Sequence, residues 1–335
     1  MKQGSSFFVS ADGTRFFTCE VSCEEAAQCL IDWLCARFPS YLRSDWIAAI
    51  AEGALTVGDA LTTPDTVVVP GMQVACYVKP ETEPVVDDTY TLCYEDAHLA
   101  VVNKSGNLPS HPAGRYVEHT LTRLLVARNG FPAAFAVNRL DRETSGLLLI
   151  AKTQEAASRA GKQVMGGRLE RSYLVLVEGI WDRSLLEDPY LARGFIRLER
   201  GQIIRKRRVF TEGQLGLGGQ EAETVFTCLS RGHELSLLTA RPVTGRPHQI
   251  RATLKALGYP VVGDKLYGID EMIYARMSEG AMTAQDHARL RLPHQALHAW
   301  KLAFRHPFSG EALVFETTLP AWARNVACGD AFEGV

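Results

Sequence analysis

A single carboxylate between two arginines is the feature of this sequence best suited to chemistry. Asp141 lies in a polar loop within segment 138–150, with Arg139 and Arg142 close to it and strand-like apolar runs around the loop. A loop carboxylate held between rigid strands is well placed for nucleophilic or acid–base chemistry. Neighbouring arginines favour its ionised form. The residues alone leave a structural alternative open, an aspartate in a turn held by salt bridges.

A second segment, 241–251, carries arginines on different sides of one predicted helix. Thr244 suits the cap of a helix that starts near Pro247, because proline is favoured at the first helical position. Arg246 and Arg251 are five residues apart, so they point to different sides of that helix. One arginine can therefore pair with a carboxylate while the other binds phosphate.

The third segment is an alternating strand over 171–179. Its pattern places Tyr173, Val175 and Val177 on one face. Two interpretations of the tyrosine stay open, a residue of the core or an aromatic ring that faces a pocket and stacks on a base.

Charge is divided unevenly along the chain, and the net charge of −2 hides this. Residues 1–87 contain 5 basic and 12 acidic side chains, a net charge of −7, whereas residues 88–335 contain 31 and 26, a net charge of +5. The basic excess is greatest over 193–208, where Glu199 is the only acid. Such a cluster can neutralise phosphates and release counterions, or it can form the solvated edge of a sheet.

The elements that must position these residues form a small N-terminal part and a larger C-terminal part. We expect a lead over 1–22, an accessory domain over 23–80, a linker over 81–87, a main domain over 88–325 and a tail over 326–335. The fold class is predicted to be α+β, with a mixed, largely antiparallel sheet and flanking helices and loops. Predicted strands include 134–138, 147–151, 173–177 and 234–238, and predicted helices lie near 154–165 and 247–257.

Composition predicts a soluble globular chain, with 335 residues, 46% of them hydrophobic and 22% charged. No run approaches the roughly 18 apolar residues of a membrane helix, and residues 1–6 lack the apolar core of a secretory signal. The 8 cysteines include no C-x-x-C pair, which favours reduced thiols over a zinc ribbon. We therefore expect a cytoplasmic protein with no membrane partner.

Other motifs are too incomplete to predict a metal or nucleotide site. His294 and His298 have the spacing of a helical metal site, but no H-E-x-x-H accompanies them. The run G-D-K at 263–265 lacks the rest of a P-loop pattern. No metal and no nucleotide cofactor is predicted.

Three segments together carry a family resemblance. They read N-R-L-D-R-E-T-S-G at 138–146, R-S-Y-L-V-L-V-E-G at 171–179 and T-G-R-P-H-Q-I-R at 244–251, followed by P-V-V-G-D-K-L-Y-G at 260–268. In order and spacing they resemble the motifs of the RluA-type RNA pseudouridine synthases. The resemblance covers about residues 88–322.

This resemblance implies an enzyme that converts uridine to its C-glycoside isomer within structured RNA, with ribosomal RNA expected first and tRNA next. It implies Asp141 as the catalytic carboxylate, Arg251 as its ion-pair partner and Tyr173 as the tyrosine that stacks on the base. Arg139 matches an arginine that fills the space left by the flipped-out nucleotide. Further RNA contacts are predicted for Arg142, Thr144, Arg246, His248, Gln249, Arg205, Lys206, Arg207 and Arg208. The reaction needs no cofactor, and a monomer is the default expectation.

The sequence departs from the family pattern at a few positions. Asn138 stands where the family usually has histidine, and Ala252-Thr253 where it usually has Val-His. Asparagine can still hold the loop by hydrogen bonds, so we expect altered RNA contacts with the chemistry retained.

Residues 23–80 resemble a small RNA-binding domain shared with a small-subunit ribosomal protein. That domain normally carries a basic helix, but here only Arg37 and Arg43 are available. We expect its fold and only weak RNA binding. Two alternatives to the enzyme stay open: a catalytically silent RNA-binding or ribosome-assembly factor of the same fold, and a hydrolytic nucleosidase that uses the same carboxylate.

Overall fold

Two compact units, Met1–Pro84 and Val85–Val335, make up the chain. The structure is a computed structural model. It describes residues 5–9, 15–38, 43–58, 60–78, 83–113, 116–183, 189–199, 207–213, 218–278 and 280–327. In these ranges, no helix has the length and apolar character that crossing a membrane requires.

The N-terminal unit is built on a sheet with helices packed against it. Its strands are β1 (Ser5–Val9), β2 (Arg15–Glu20), β3 (Leu55–Val57), β4 (Ala60–Leu61) and β5 (Gln73–Val78), in the order β1-β2-β5-β3-β4. Its helices are α1 (Leu30–Arg37) and α2 (Arg43–Ala51). Leu30, Leu34 and Trp46 are buried in its core, as a helical stripe requires. Strand β2 pairs with β5, so the described part of the lead over 1–22 adds strands to this sheet.

The second unit is built on a larger sheet. Its described strands are β6 (Tyr90–Glu95), β7 (Leu99–Lys104), β8 (Phe135–Ala136), β9 (Ser145–Ala151), β10 (Glu170–Glu178), β11 (Tyr190–Leu198), β12 (Arg208–Glu212), β13 (Gln220–Arg231), β14 (Leu235–Pro242), β15 (Leu297–Arg305) and β16 (Ala312–Glu316). The order is β12-β11-β13-β14-β10-β15-β9-β7-β6, with β16 on β15 and β8 on β9. Strand β15 pairs with β9 in parallel, and the other described pairs are antiparallel. The predicted α+β class with a mixed, largely antiparallel sheet is confirmed.

Helices accompany this sheet. They are α3 (Leu121–Asn129), α4 (Gln154–Met165), α5 (Gln249–Leu257), α6 (Met272–Ser278), α7 (Ala284–Leu290) and α8 (Ala321–Ala327). Helix α4 has the predicted bounds, and Thr153 caps it by accepting a hydrogen bond from the N–H of Ala156. The predicted strand over 134–138 is shorter in the structure, and the one over 234–238 runs on to Pro242.

The central strands are apolar at successive positions because both faces of the sheet are covered. In β9, Leu148 and Ile150 enter one hydrophobic core while Leu147 and Leu149 enter another. Successive side chains of a strand point to opposite faces, so a strand buried on both sides must be apolar throughout.

Register brings the three chemical segments to one edge of the sheet. His298 of β15 lies opposite Ser145 at the start of β9 and opposite Leu174, the residue after Tyr173 in β10. Tyr173 lies opposite Ala240 near the end of β14, after which the chain continues to α5. The loop of Asp141, the tyrosine and the helix of Arg251 therefore meet there.

Glycine is required where β9 meets β15. Gly146 has φ +108°, and a Cβ at this position would lie 2.3 Å from the carbonyl oxygen of Ala299. Only a residue without a side chain permits the parallel pairing that places the Asp141 loop.

Candidate active site

A guanidinium group bridges two carboxylates at the centre of this edge. Arg251 donates from Nη1 to Oδ2 of Asp141 at 2.6 Å, and from Nε and Nη2 to the two oxygens of Asp264 at 2.6 and 2.8 Å. Asp264 also accepts hydrogen bonds from the backbone N–H groups of Leu266 and Tyr267, both at 2.9 Å. The ring of Tyr267 lies 5.0 Å from the guanidinium carbon. The arginine is therefore fixed on one side by Asp264 and presents its remaining edge to Asp141.

The electrostatics of this cluster keep Asp141 ionised. Burial opposes its charge, but the charges of Arg251 and His248 and hydrogen bonds from Arg251 and Gln295 outweigh this and lower the pKa of Asp141. The side chain of Asp141 is 30% exposed, whereas that of Asp264 is fully buried. Asp141 is thus the carboxylate that a substrate can reach.

Tyr173 supplies a buried aromatic ring beside this carboxylate. It begins the buried stretch of β10, where a bulge lies between Ser172 and Tyr173 against β15. Burial raises the pKa of its phenol, and the charge of Asp141 adds to this effect while Arg171 opposes it. The phenol is therefore protonated at neutral pH.

His248 is a neutral imidazole on the other side of Asp141. Its Nε2 lies 3.9 Å from Oδ1 of Asp141, and its Nδ1 lies 2.9 Å from the hydroxyl of Tyr267. Burial lowers the pKa of His248 to about 4, so the ring is uncharged at pH 7. The hydroxyl of Tyr267 accepts from the backbone N–H of Arg208, which leaves its own proton for Nδ1. In the tautomer in which Tyr267 donates to Nδ1, the ring proton is on Nε2, the nitrogen that lies 3.9 Å from Asp141.

The helix that carries Arg251 begins later than predicted. It starts at Gln249, and His248 occupies the cap position with a left-handed φ of 58°. Thr244 does not cap it: its hydroxyl accepts from the N–H of Glu223 and donates to Oε1 of Gln249. The loop after Pro247 needs this left-handed residue, so the prediction of a helix start near Pro247 is wrong.

Gln249 faces the protein interior and ties the loop to the sheet. Its Oε1 accepts from the Thr244 hydroxyl and the N–H of Arg246, and its Nε2 donates to the Glu223 carbonyl and the Thr224 hydroxyl. Each hydrogen-bonding atom of the amide has a protein partner. This placement favours a positioning role over the RNA contact expected from the sequence.

Arg139, Arg142 and Thr144 occupy different environments in the loop of Asp141. Arg139 is exposed and has no hydrogen bond or ion pair with a described residue. Arg142 lies over the ring of Tyr116 at 5.5 Å and pairs with Glu143 at 3.0 Å. Thr144 is buried, and its hydroxyl accepts from the amide of Gln295. Arg139 is the one of the three positioned for an incoming ligand.

The basic cluster contributes less free charge than its composition indicates. Arg207 pairs with Glu199 at 3.3 Å and with Glu271 at 2.6 Å. The charge of Arg208 reaches His248, so this residue lies beside the site. Arg205 and Lys206 lie outside the described residues. Arg246 is partly buried, and its Nε donates to the carbonyl of Glu221.

A buried lysine bonds to the loop of Asp141, and sequence reasoning missed it. Lys104 is 1% exposed, and its Nζ donates to the carbonyls of Ser105 at 2.8 Å and Arg142 at 3.1 Å. Burial lowers its pKa to about 7, although the charge of Asp141 counteracts this. A lysine at the end of an otherwise apolar strand was the available signal. Sequence reasoning also missed Asp264, because the run G-D-K at 263–265 suggests only a turn.

Asn138 supports the loop by a hydrogen bond, as expected from the sequence. It is buried, and its Oδ1 accepts from the N–H of Leu149 at 2.9 Å. His298 is also structural, because Ser145 and Thr317 occupy its ring nitrogens at 2.8 and 2.7 Å. Within the described residues, no three or more His, Cys, Asp and Glu side chains form a group that could hold a metal ion.

Arg37 and Arg43 of the N-terminal unit are already paired. Arg37 is almost fully buried and bonds to Glu25 at 2.5 Å, while the exposed Arg43 bonds to Asp32 at 2.6 Å. Both cations that were candidates for RNA have a carboxylate partner within the unit. This pairing favours weak RNA binding there.

The chain is similar to proteins that modify uridine in RNA. A family model described as RNA pseudouridylate synthase matches residues 98–256. A "Ribosomal large subunit pseudouridine synthase D" of Nitrosomonas europaea is 34% identical over 68% of this chain, and the match spans 62% of that protein. One of the same name from Neisseria meningitidis serogroup B is 32% identical over 86% of this chain and 74% of that protein. A solved structure, "Human RNA Pseudouridylate Synthase Domain Containing 1", superimposes with a TM-score of 0.56 at 25% identity, covering 74% of this chain and 90% of that one.

Proposed function

This chain belongs to the RNA pseudouridylate synthase family, and from that premise we propose that it isomerises a specific uridine of ribosomal RNA, with Asp141 as its catalytic carboxylate. The observation that carries the proposal is the pairing of Asp141 with Arg251 beside the buried ring of Tyr173. Ribosomal RNA is proposed because the relatives from two bacteria are named for the large ribosomal subunit.

The residues suit the steps of the reaction. The bond between N1 of the base and C1′ of the sugar breaks, the base turns, C5 bonds to C1′, and the proton of C5 is lost while N1 gains one. An ionised carboxylate can bond to the detached species or stabilise its positive charge. Arg251 keeps Asp141 ionised and oriented, and Tyr173 offers a flat apolar face to the base.

We assign RNA contacts to side chains that are accessible and have no partner among the described residues. The exposed Arg139 is the side chain that we assign to the gap left by the flipped nucleotide, since extrusion costs a few kcal/mol and the vacancy needs support. We also assign RNA contacts to His248 and to Arg208, whose charge acts on His248. Isomerisation consumes no electrons and no second substrate, so we propose that the protein works without a nucleotide cofactor. We also propose that it is a cytoplasmic monomer. Size-exclusion chromatography of the active protein checks the oligomeric state.

The test uses ribosomal RNA transcribed with uridine tritiated at C5. Isomerisation releases tritium to water, because the C5–H bond is replaced by C5–C1′. We expect release by the wild type, none by Asp141→Asn, and similar RNA affinity for both. RNA binding without release would favour the silent RNA-binding factor, and free uracil would favour the nucleosidase.

Mapping pseudouridine in RNA from a deletion strain and its parent identifies the substrate. Loss of a site in ribosomal RNA supports the proposal. Loss of a site only in tRNA would keep the chemistry and overturn the choice of RNA.

A further inference from the structure

Arg171 lies at the edge of the proposed active site, and the reaction as described above does not use it. It precedes Tyr173 by two residues in β10, and its charge acts on the phenol of that tyrosine. A Cβ built on Gly245 would lie 3.5 Å from both Nη1 and Nη2 of Arg171. The guanidinium is therefore next to the loop that leads to His248 and Arg251.

This guanidinium has no partner among the described residues. Its Nε is buried and makes no hydrogen bond, and neither Nη atom has an acceptor or carboxylate in the described part of the chain. Arg251, Arg142 and Arg207 each have at least one carboxylate partner. The two Nη atoms are not among the buried unpaired atoms, so an acceptor from outside the protein can reach them and form charge-assisted hydrogen bonds.

We infer that Arg171 is a phosphate-binding residue that takes an RNA backbone phosphate next to the uridine in the site. This inference rests on the proposed function. The planar fork of a guanidinium matches two oxygens of a phosphate, and every flipped nucleotide brings a phosphate with it. Gly245 borders the Nη atoms, and even a Cβ at this position would be in ordinary van der Waals contact with them at 3.5 Å.

The test measures equilibrium binding of the tritiated ribosomal RNA over a series of KCl concentrations. Arg171→Ala should raise Kd and KM at least about tenfold and lower kcat less, since a charge-assisted hydrogen bond is lost in binding. It should also reduce the slope of log Kd against log[KCl] by about 0.7–0.9, the loss of one phosphate contact. Arg171→Lys should restore the slope but only part of the affinity, because lysine keeps the charge without the fork.

Arg159→Ala is the matched control, since Arg159 is paired with Glu155 on α4. Its Kd and slope should equal those of the wild type. A second pair of variants leaves Arg171 in place: Gly245→Asp brings a carboxylate to the guanidinium and should weaken binding and lower the slope, whereas Gly245→Ala should change both little. Circular dichroism confirms that each variant is folded.

An unchanged salt slope in folded Arg171→Ala and Gly245→Asp overturns the inference, even where the wild type releases tritium. A reduced slope in both supports it, even where the wild type binds RNA and releases none. The salt slope therefore tests the role of Arg171, and tritium release tests the proposed function, each without depending on the other.

Discussion

Replacing Asp264 by asparagine tests whether this buried carboxylate acts by holding Arg251. Asparagine has nearly the same shape, and its Oδ1 can still accept from the N–H groups of Leu266 and Tyr267. The amide nitrogen, however, faces Nε of Arg251, where the structure has a 2.6 Å bond to a carboxylate oxygen. In the variant, the two contacts between Arg251 and residue 264 no longer join opposite charges. The bond from Arg251 to Asp141 remains.

The expected loss of stability in Asp264→Asn follows from the burial of Asp264 and Arg251. The side chain of Asp264 is fully buried and that of Arg251 is 8% exposed. Removing one partner of a buried pair costs about 3–5 kcal/mol, and we expect the lower end of this range because Arg251 keeps its bond to Asp141. For a domain of this size that lowers Tm by about 10 °C. A catalytic group displaced by about 1 Å loses roughly a hundredfold in rate, so kcat should fall by that order.

The assay combines thermal unfolding with tritium release over a range of pH. In Asp264→Asn, Arg251 keeps its positive charge, and Asp141 is the acid that remains beside it. The pKa of Asp141 therefore does not rise. We expect kcat to fall at every pH while the acid limb of the kcat/KM profile stays in place or moves to lower pH. Asp286→Asn is the matched control, because Asp286 is a buried acid with two bonds to Arg276, away from the proposed site. It should lose stability and keep kcat.

Two results would refute this reasoning. Wild-type kcat together with wild-type Tm would show that Arg251 is held by other groups. An acid limb that moves to higher pH would show that Asp264 affects the ionisation of Asp141 and not only the orientation of Arg251.

Three further outcomes are expected. Arg251→Met should move the acid limb of kcat/KM to higher pH, because the charge that lowers the pKa of Asp141 is gone; an unmoved limb contradicts this. The free energy of unfolding of the wild type should rise by up to about 1.4 kcal/mol per pH unit above pH 7. The reason is that the pKa of Lys104 is about 7 in the folded protein and about 10 in the unfolded chain. Urea unfolding of Lys104→Met should show less of this rise. The contribution of His298 to stability should fall as pH drops from about 6.5 to 4 and be constant below, because the folded protein keeps His298 neutral until about pH 4 while the unfolded chain protonates earlier. A His298→Gln variant with an unchanged pH dependence over this range would disprove that cause.

Local sequence pattern was sufficient to predict several helices and strands and to identify the main residues of the candidate site. The strands β9 and β10 and the helix α4 were predicted from the sequence, because hydrophobic period depends on neighbours along the chain, although β10 is buried at successive positions where alternation was expected. The pairing of Asp141 with Arg251 was expected from the motifs and is present in the structure. The bounds of the helix of Arg251 were not, because a left-handed residue at its start has no strong sequence signal unless it is glycine.

The sequence by itself determined which side chains this protein brings to chemistry, and the tertiary structure decided which of them remain free to act. Arg207 and Gln249 looked available for RNA, yet Glu271 and Glu223, 64 and 26 residues from them, occupy their donors. Lys104 reaches the carbonyl of Arg142 across 38 residues, and Arg171 meets Gly245 without gaining a partner. The reason is physical: the type and spacing of residues show which faces they share, whereas the partner of a buried charge depends on which distant strands and loops pack against it.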